Sequence, residues 1–182
     1  MRFKINYTNI PVLAIGFSRS SSLFAKGIQL VRGILGDKSE PNHAFFVTED
    51  HGQLFATEET IHGLVENSLE EYTGSRDRIV AMYIWEGFND ASKREDALKF
   101  LAEVRRKRNE NSRYDFKGLL SFVPVLKKFF KPDPKRQWCS ENVASLLNTY
   151  GAGIGEEHIT PDQLLKIVQE KSDFKAVLGY YI

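Results

Sequence analysis

The segment that decides the fold is HAFFVTEDHGQLFATEE, residues 43–59. Two apolar runs, each about as long as a β-strand, flank a polar turn that ends in Gly52. This pattern is typical of a β-hairpin. The segment therefore predicts an antiparallel pair of strands, and the rest of the chain is interpreted around that pair.

The length of the hairpin loop determines which side chains meet across the two strands. With a four-residue loop at 49–52, His43 lies directly opposite Glu58. Opposed residues share a face of the sheet with Cβ atoms about 5 Å apart, which is close enough for a carboxylate to hydrogen-bond an imidazole. A change of one residue in loop length would place Glu59 on that face instead.

Hydrophobic periodicity and capping signals predict the other elements. Ser92 and Glu95 form a capping box at the start of one helix, and Thr160-Pro161 starts another. The polar stretch 61–77 is interpreted as a connection. The remaining predictions are strands at 11–17, 78–86 and 176–182, helices at 23–35, 92–109, 139–150 and 161–171, and a Pro-broken apolar segment at 113–130.

The sum of these elements is an α+β fold, with a small antiparallel sheet flanked by helices. At 182 residues, 42% of them hydrophobic, the chain suits a single domain over residues 1–182. A net charge of +1 argues against a nucleic-acid partner. No apolar run approaches the roughly 20 residues of a membrane span, so we expect no stable membrane insertion. A lone cysteine excludes an internal disulfide and favours a cytoplasmic location.

That cysteine lies in RQWCSENVASLLNTYG, residues 136–151, just where an apolar helix is predicted to begin. Unpaired N–H groups and the positive end of the helix dipole favour a thiolate at such a position. The same N–H groups are suited to holding an oxyanion. Cys139 is therefore a candidate nucleophile. The alternative interpretation is a buried, inert thiol.

A cysteine nucleophile requires a base, and His43 is the best candidate because it opens the hairpin strand after Pro41-Asn42. Glu58 would then fix its tautomer and stabilise the imidazolium. A half-exposed surface pair is the alternative. We expect no metal site, since the histidines lack i, i+4 spacing, and no cofactor, since the GAGIG run at 151–155 follows a helix. The other histidines are His51 in a solvated turn, His62 in a connection, and His158 just before the last helix, where it is a candidate for a capping role.

The order of these features resembles the circularly permuted papain-like proteins of the NlpC superfamily. In the ordinary branch the cysteine helix precedes the histidine strand, whereas here it follows. The resemblance covers most of the chain, roughly residues 11–147. Its most specific pieces are NHAFFV (42–47), FATEETIHGL (55–64), RYDFKGLL (113–120) and WCSENVASLL (138–147).

The resemblance implies a thiol hydrolase, a peptidase or amidase, that acts on a peptide or another amide, such as peptidoglycan peptides or a γ-glutamyl-like amide. Cys139 would be the nucleophile, His43 the general base and Glu58 the residue that orients the base. Tyr114 would line the site. Residues 117–137 have no counterpart in the family pattern.

Two other functions are compatible with the same residues. The triad of Cys139, His43 and Glu58 is also suited to acyl transfer or lipid deacylation, as in lecithin-retinol acyltransferase-like relatives. The fold is also suited to a catalytically silent binding or assembly module. The compact form would suit a phage protein, which would act in the host cytoplasm or the virion.

Overall fold

The computed structural model describes residues 10–19, 41–60, 63–70, 78–111, 139–155 and 158–179, apart from the side chains of 63, 78, 104–111 and 178–179. These ranges form one six-stranded antiparallel sheet in the order β4-β3-β2-β1-β5-β6. Within them, no helix combines the length and the apolar content that a bilayer crossing requires. The strands are β1 (Ile15–Arg19), β2 (His43–Asp50), β3 (Gln53–Thr60), β4 (Gly63–Ser68), β5 (Arg78–Trp85) and β6 (Phe174–Gly179).

The predicted hairpin is present, but its loop is shorter than expected. Asp50 pairs with Gln53, so the turn contains only His51 and Gly52. Both have positive φ, 50° and 80°, as a two-residue hairpin turn of the primed type requires. The prediction of a four-residue loop is wrong, because a histidine accepts the left-handed conformation and lets the strands pair for two further residues. His51 is solvated as expected, with its side chain 95% exposed.

Strand β4 was missed in the stretch interpreted as a connection. It pairs along its whole length with β3, from Phe55–Ser68 to Thr60–Gly63. Its sequence, GLVENS, has only two large apolar residues, and it lies at the edge of the sheet. Edge strands tolerate polar side chains, which is why periodicity gave no signal here.

The other described strands were predicted with shifted ends. β1 begins later than expected because Pro11 accepts a hydrogen bond from Ala14 in a turn where Leu13 has φ 66°. β5 and β6 are the predicted strands at 78–86 and 176–182, and β6 begins earlier, at Phe174.

Three α-helices are described, α1 (Ala91–Asn111), α2 (Cys139–Thr149) and α3 (Pro161–Glu170), and a short 3-10 helix at Glu86–Asn89 precedes α1. The predicted cap of α1 is wrong. Asp90 Oδ1, and not Ser92, accepts the first backbone N–H group, at 2.9 Å from Ser92 N. The predicted start of α3 is confirmed, since Thr160 and Gln163 form a reciprocal capping box ahead of Pro161.

The core has one cluster on each face of the sheet. The larger cluster joins one face to all three helices, where apolar side chains of α2 contact those of β1 and β2. The smaller cluster includes Phe45, Val47 and Ala56 on the other face. The described chain is therefore α+β, as the sequence predicts. The predicted helix at 23–35, the segment 113–130, His62 and Tyr114 lie outside the described residues.

Candidate active site

The thiol of Cys139 lies at the first residue of α2, as the sequence predicts. The residue is only 4% exposed. Two backbone groups hydrogen-bond to its sulfur, those of Ser140 in the same helix and of Ala44 in β2. The start of α2 is therefore in contact with the start of β2.

His43 is the first residue of β2 and pairs with Ser18 of β1. Its side chain is 15% exposed and hydrogen-bonds to the Cys139 thiol. On its other side, Nε2 donates to Oε2 of Glu58. Since Nε2 is engaged in this way, Nδ1 is the ring nitrogen that faces sulfur. The structure thus brings together Cys139, His43 and Glu58, the three side chains that the sequence predicts to form the site.

Glu58 lies in β3 and is 7% exposed. The paired part of β2 and β3 ends with Phe46 opposite Thr57, and the same register continued by one residue brings Glu58 level with Phe45 and diagonal to His43. The predicted direct opposition is therefore wrong, although the predicted partner is right. Glu59, the alternative, is the next residue along the strand, and the alternation of side chains directs it to the opposite face.

The electrostatics of Cys139 and His43 favour an ion pair. Burial alone would raise the pKa of the Cys139 thiol, but the charge and hydrogen bond of His43 and the two backbone N–H groups lower it below its ordinary value. Burial alone would lower the pKa of His43. The charges of Cys139 and Glu58, with their hydrogen bonds, instead raise it well above its ordinary value. The thiolate and the imidazolium thus stabilise each other.

A fourth residue in this network was not predicted. Asn67 of β4 donates from Nδ2 to Oε1 of Glu58 at 2.6 Å. Among the described residues, His43 is therefore a partner of one oxygen of the Glu58 carboxylate and Asn67 a partner of the other. The signal that would have revealed Asn67 is the β3–β4 register, and β4 was the strand that periodicity missed.

A second His–Glu pair lies at the start of α2. His158 Nδ1 and Glu141 Oε1 are 2.5 Å apart, and Ser140 Oγ donates to the carbonyl of Ile159 at 2.6 Å. These contacts tie the segment before α3 to the first turn of α2. The predicted capping role of His158 is not seen, because Thr160 provides the cap.

Comparison with known proteins gives a fold but no family. No family model matches the chain, and no curated protein matches it. Among solved structures, it is similar to the metalloprotein YiiX from Escherichia coli O157:H7, a DUF1105 protein, with a TM-score of 0.64 and 12% identity. The alignment covers 96% of this chain and 99% of that one. At this level of identity the similarity concerns the fold alone.

The description of YiiX as a metalloprotein raises the question of a metal in this chain. Among the residues that the structure describes, no group of three or more His, Cys, Asp or Glu side chains is arranged to bind a metal ion. Glu58 already directs one oxygen to His43 and the other to Asn67.

Proposed function

We propose that this protein is a cysteine hydrolase with a permuted papain-like fold, which cleaves an amide bond through an acyl-enzyme. The observation that carries the proposal is the chain of contacts from the Cys139 thiol through His43 to Glu58. The chain order of histidine, glutamate and cysteine is also the one that a permuted papain-like protein has.

The chemistry begins with the transfer of the Cys139 proton to His43, which leaves a thiolate beside an imidazolium. Sulfur attacks the carbonyl carbon, and N–H groups at the start of α2 stabilise the oxyanion. As the C–N bond breaks, His43 gives its proton to the leaving nitrogen. His43 then accepts a proton from water, whose oxygen attacks the thioester and releases the acid. Glu58 holds the ring in one tautomer throughout.

The substrate class follows from the same chemistry together with the resemblance. A thioester-forming enzyme acts on an acyl group, and the resemblance to the NlpC superfamily favours acyl groups bound to nitrogen, so the expected substrates are peptides or other amides. Peptidoglycan peptides and γ-glutamyl-like amides are the first candidates, because the NlpC superfamily acts on bonds of this kind.

The experiment is to incubate the protein with a library of cysteine-directed acylating probes and to locate adducts by mass spectrometry. We expect acylation of Cys139 that is lost in Cys139→Ala and slowed in His43→Ala. Release of the acyl group to water supports hydrolysis, and transfer to an added amine or alcohol in preference to water supports an acyltransferase. If no probe in the library acylates Cys139 faster than it acylates free cysteine, the result argues for a catalytically silent module.

A further inference from the structure

The side chain of Asn67 holds the carboxylate of Glu58 from outside the triad. Its Nδ2 donates to Oε1 at 2.6 Å, while Oε2 of the same carboxylate accepts from His43. Glu58 is almost fully buried, so water does not replace either partner freely. The orientation of the carboxylate therefore depends on both bonds.

The register explains how Asn67 reaches Glu58. Asn67 is paired with Ala56 and Glu58 with Val65, so the two side chains share a face of the sheet and are diagonal neighbours. Diagonal pairs are about 7–8 Å apart at their backbones, a distance that a glutamate and an asparagine side chain span together. Edge strand β4 thus contributes the amide of Asn67 to the network.

A neutral amide suits this position better than a cation. The terminal torsion of a glutamate is broad, so a carboxylate with one free oxygen can rotate away from its partner. Asn67 removes that freedom without adding charge. A lysine or arginine would hold the same oxygen but would offset the negative charge that stabilises the His43 imidazolium.

We propose that Asn67 is a positioning residue of the triad. Its amide keeps Oε2 of Glu58 on Nε2 of His43, and so keeps Nδ1 of the ring towards the thiol. Its consequence for hydrolysis rests on the proposed function, whereas its effect on His43 and on thiol activation does not require a substrate.

The test is the rate of alkylation of Cys139 by iodoacetamide, measured against pH. In Asn67→Ala we expect a rate about tenfold lower at neutral pH, the equivalent of one lost hydrogen bond to a charged group. The control is Ser68→Ala, which removes the exposed bond from Gln53 Nε2 to Ser68 Oγ between the same two strands. Equal rates in the two variants would overturn the inference.

Asn67→Asp separates a positioning role from a structural one. When the introduced carboxyl group is protonated, it donates to Glu58 as the amide does, but when it is ionised, it repels Glu58. We therefore expect the rate relative to wild type to fall as pH rises, and a ratio constant with pH would overturn the inference. Among the described residues, His43 and Cys139 are linked to this pair by hydrogen bonds, Glu49 lies further along the same face of β2, and Glu66 is paired with Thr57 on the other face.

A second measurement keeps this inference distinct from the proposed function. The ring nitrogens of His43 are followed by NMR in ¹⁵N-labelled protein. Asn67→Ala must shift the Nε2 signal and Ser68→Ala must leave it unchanged, whatever the reactivity of the thiol. If wild-type Cys139 reacts like free cysteine, the proposed function fails, and the NMR result alone then decides the role of Asn67.

Discussion

His43 and Glu58 meet diagonally across the β2–β3 hairpin, two residues away from direct opposition. Phe46 pairs with Thr57 at the end of the β2–β3 ladder, and the same register continued by one residue brings Glu58 level with Phe45. A slip of two residues keeps every side chain on its own face of the sheet, whereas a slip of one would exchange the faces. The pairing of His43 with Glu58 therefore survives an error in the predicted loop length.

The first prediction separates Glu58 from its neighbour Glu59. We expect Glu58→Gln to slow alkylation of Cys139 at neutral pH by about tenfold or more, because it removes the charge that stabilises the His43 imidazolium. Glu59→Gln is the matched control, since Glu59 is also buried but belongs to the other face. Glu59→Gln should lower the free energy of unfolding and leave the alkylation rate close to that of the wild type. The reverse pattern would assign the orienting role to Glu59.

The second prediction concerns pH. The pKa of Cys139 is lowered and that of His43 is raised, so the thiolate–imidazolium pair exists between the two values. Alkylation should begin at a pH below the ordinary thiol pKa of about 8.5, and at pH 6–7 it should be faster than for free cysteine. As pH falls through the lowered pKa of Cys139, the pair is lost. A profile that rises only near the ordinary thiol pKa would contradict this expectation.

The third prediction is the response of that profile to His43→Ala. The charge and hydrogen bond of His43, which lower the pKa of Cys139, are then absent, while burial, the largest influence, still raises that pKa against the two backbone hydrogen bonds. The onset of alkylation should move above the ordinary thiol pKa of about 8.5. The measurement is the same rate against pH, with His51→Ala as a control because His51 lies in the exposed hairpin turn. An unchanged onset in His43→Ala would mean that the imidazole does not activate the thiol.

The fourth prediction tests the hydrogen bond from Ser140, at the start of α2, to the carbonyl of Ile159. Ser140 is fully buried, and Ser140→Ala leaves the carbonyl of Ile159 without its 2.6 Å partner. The expected loss in free energy of unfolding is about 1–3 kcal/mol, measured by urea denaturation. Thr149→Ala removes an exposed bond to Ser145 from the same helix and should cost at most about 0.5 kcal/mol. Equal losses in the free energy of unfolding would show that the buried Ser140 hydrogen bond contributes no more to stability than the exposed Thr149 bond.

The fifth prediction concerns Gly16, which is paired with Phe45 across β1 and β2. A Cβ atom at Gly16 would lie 2.1 Å from Cζ of the fully buried Phe45 ring. We expect Gly16→Ala to destabilise the fold by about 1–3 kcal/mol through overpacking, as measured by thermal or urea unfolding.

Gly151→Ala is the comparison for Gly16→Ala. No atom lies within 4 Å of its Cβ position, so its cost of about 1 kcal/mol comes from the backbone at φ 92°. A relieving substitution, Phe45→Leu, should recover part of the loss in Gly16→Ala and none in Gly151→Ala. Recovery in both, or in neither, would argue against the steric explanation.

Much of the fold could be predicted because local patterns are strong where one face of an element is buried. The hairpin at 43–59, the strand at β5 and the cysteine helix all show this alternation or periodicity, and all are present. β4 was missed because an edge strand exposes much of its surface and needs few apolar residues. The cap of α1 was misassigned because Asp90 and Ser92 are both good capping residues, and only backbone geometry distinguishes them.

The sequence by itself determined that a lone cysteine begins a helix, that a histidine begins a strand, and that a glutamate follows it on a hairpin. These are local facts, set by turn chemistry, capping and the two-residue period of a strand. Only the tertiary structure decided that the start of α2 contacts the start of β2, and that Asn67 holds Glu58 from an edge strand. Such contacts join residues far apart in the chain, and they depend on how helices pack on the sheet, for which short sequence patterns carry no signal.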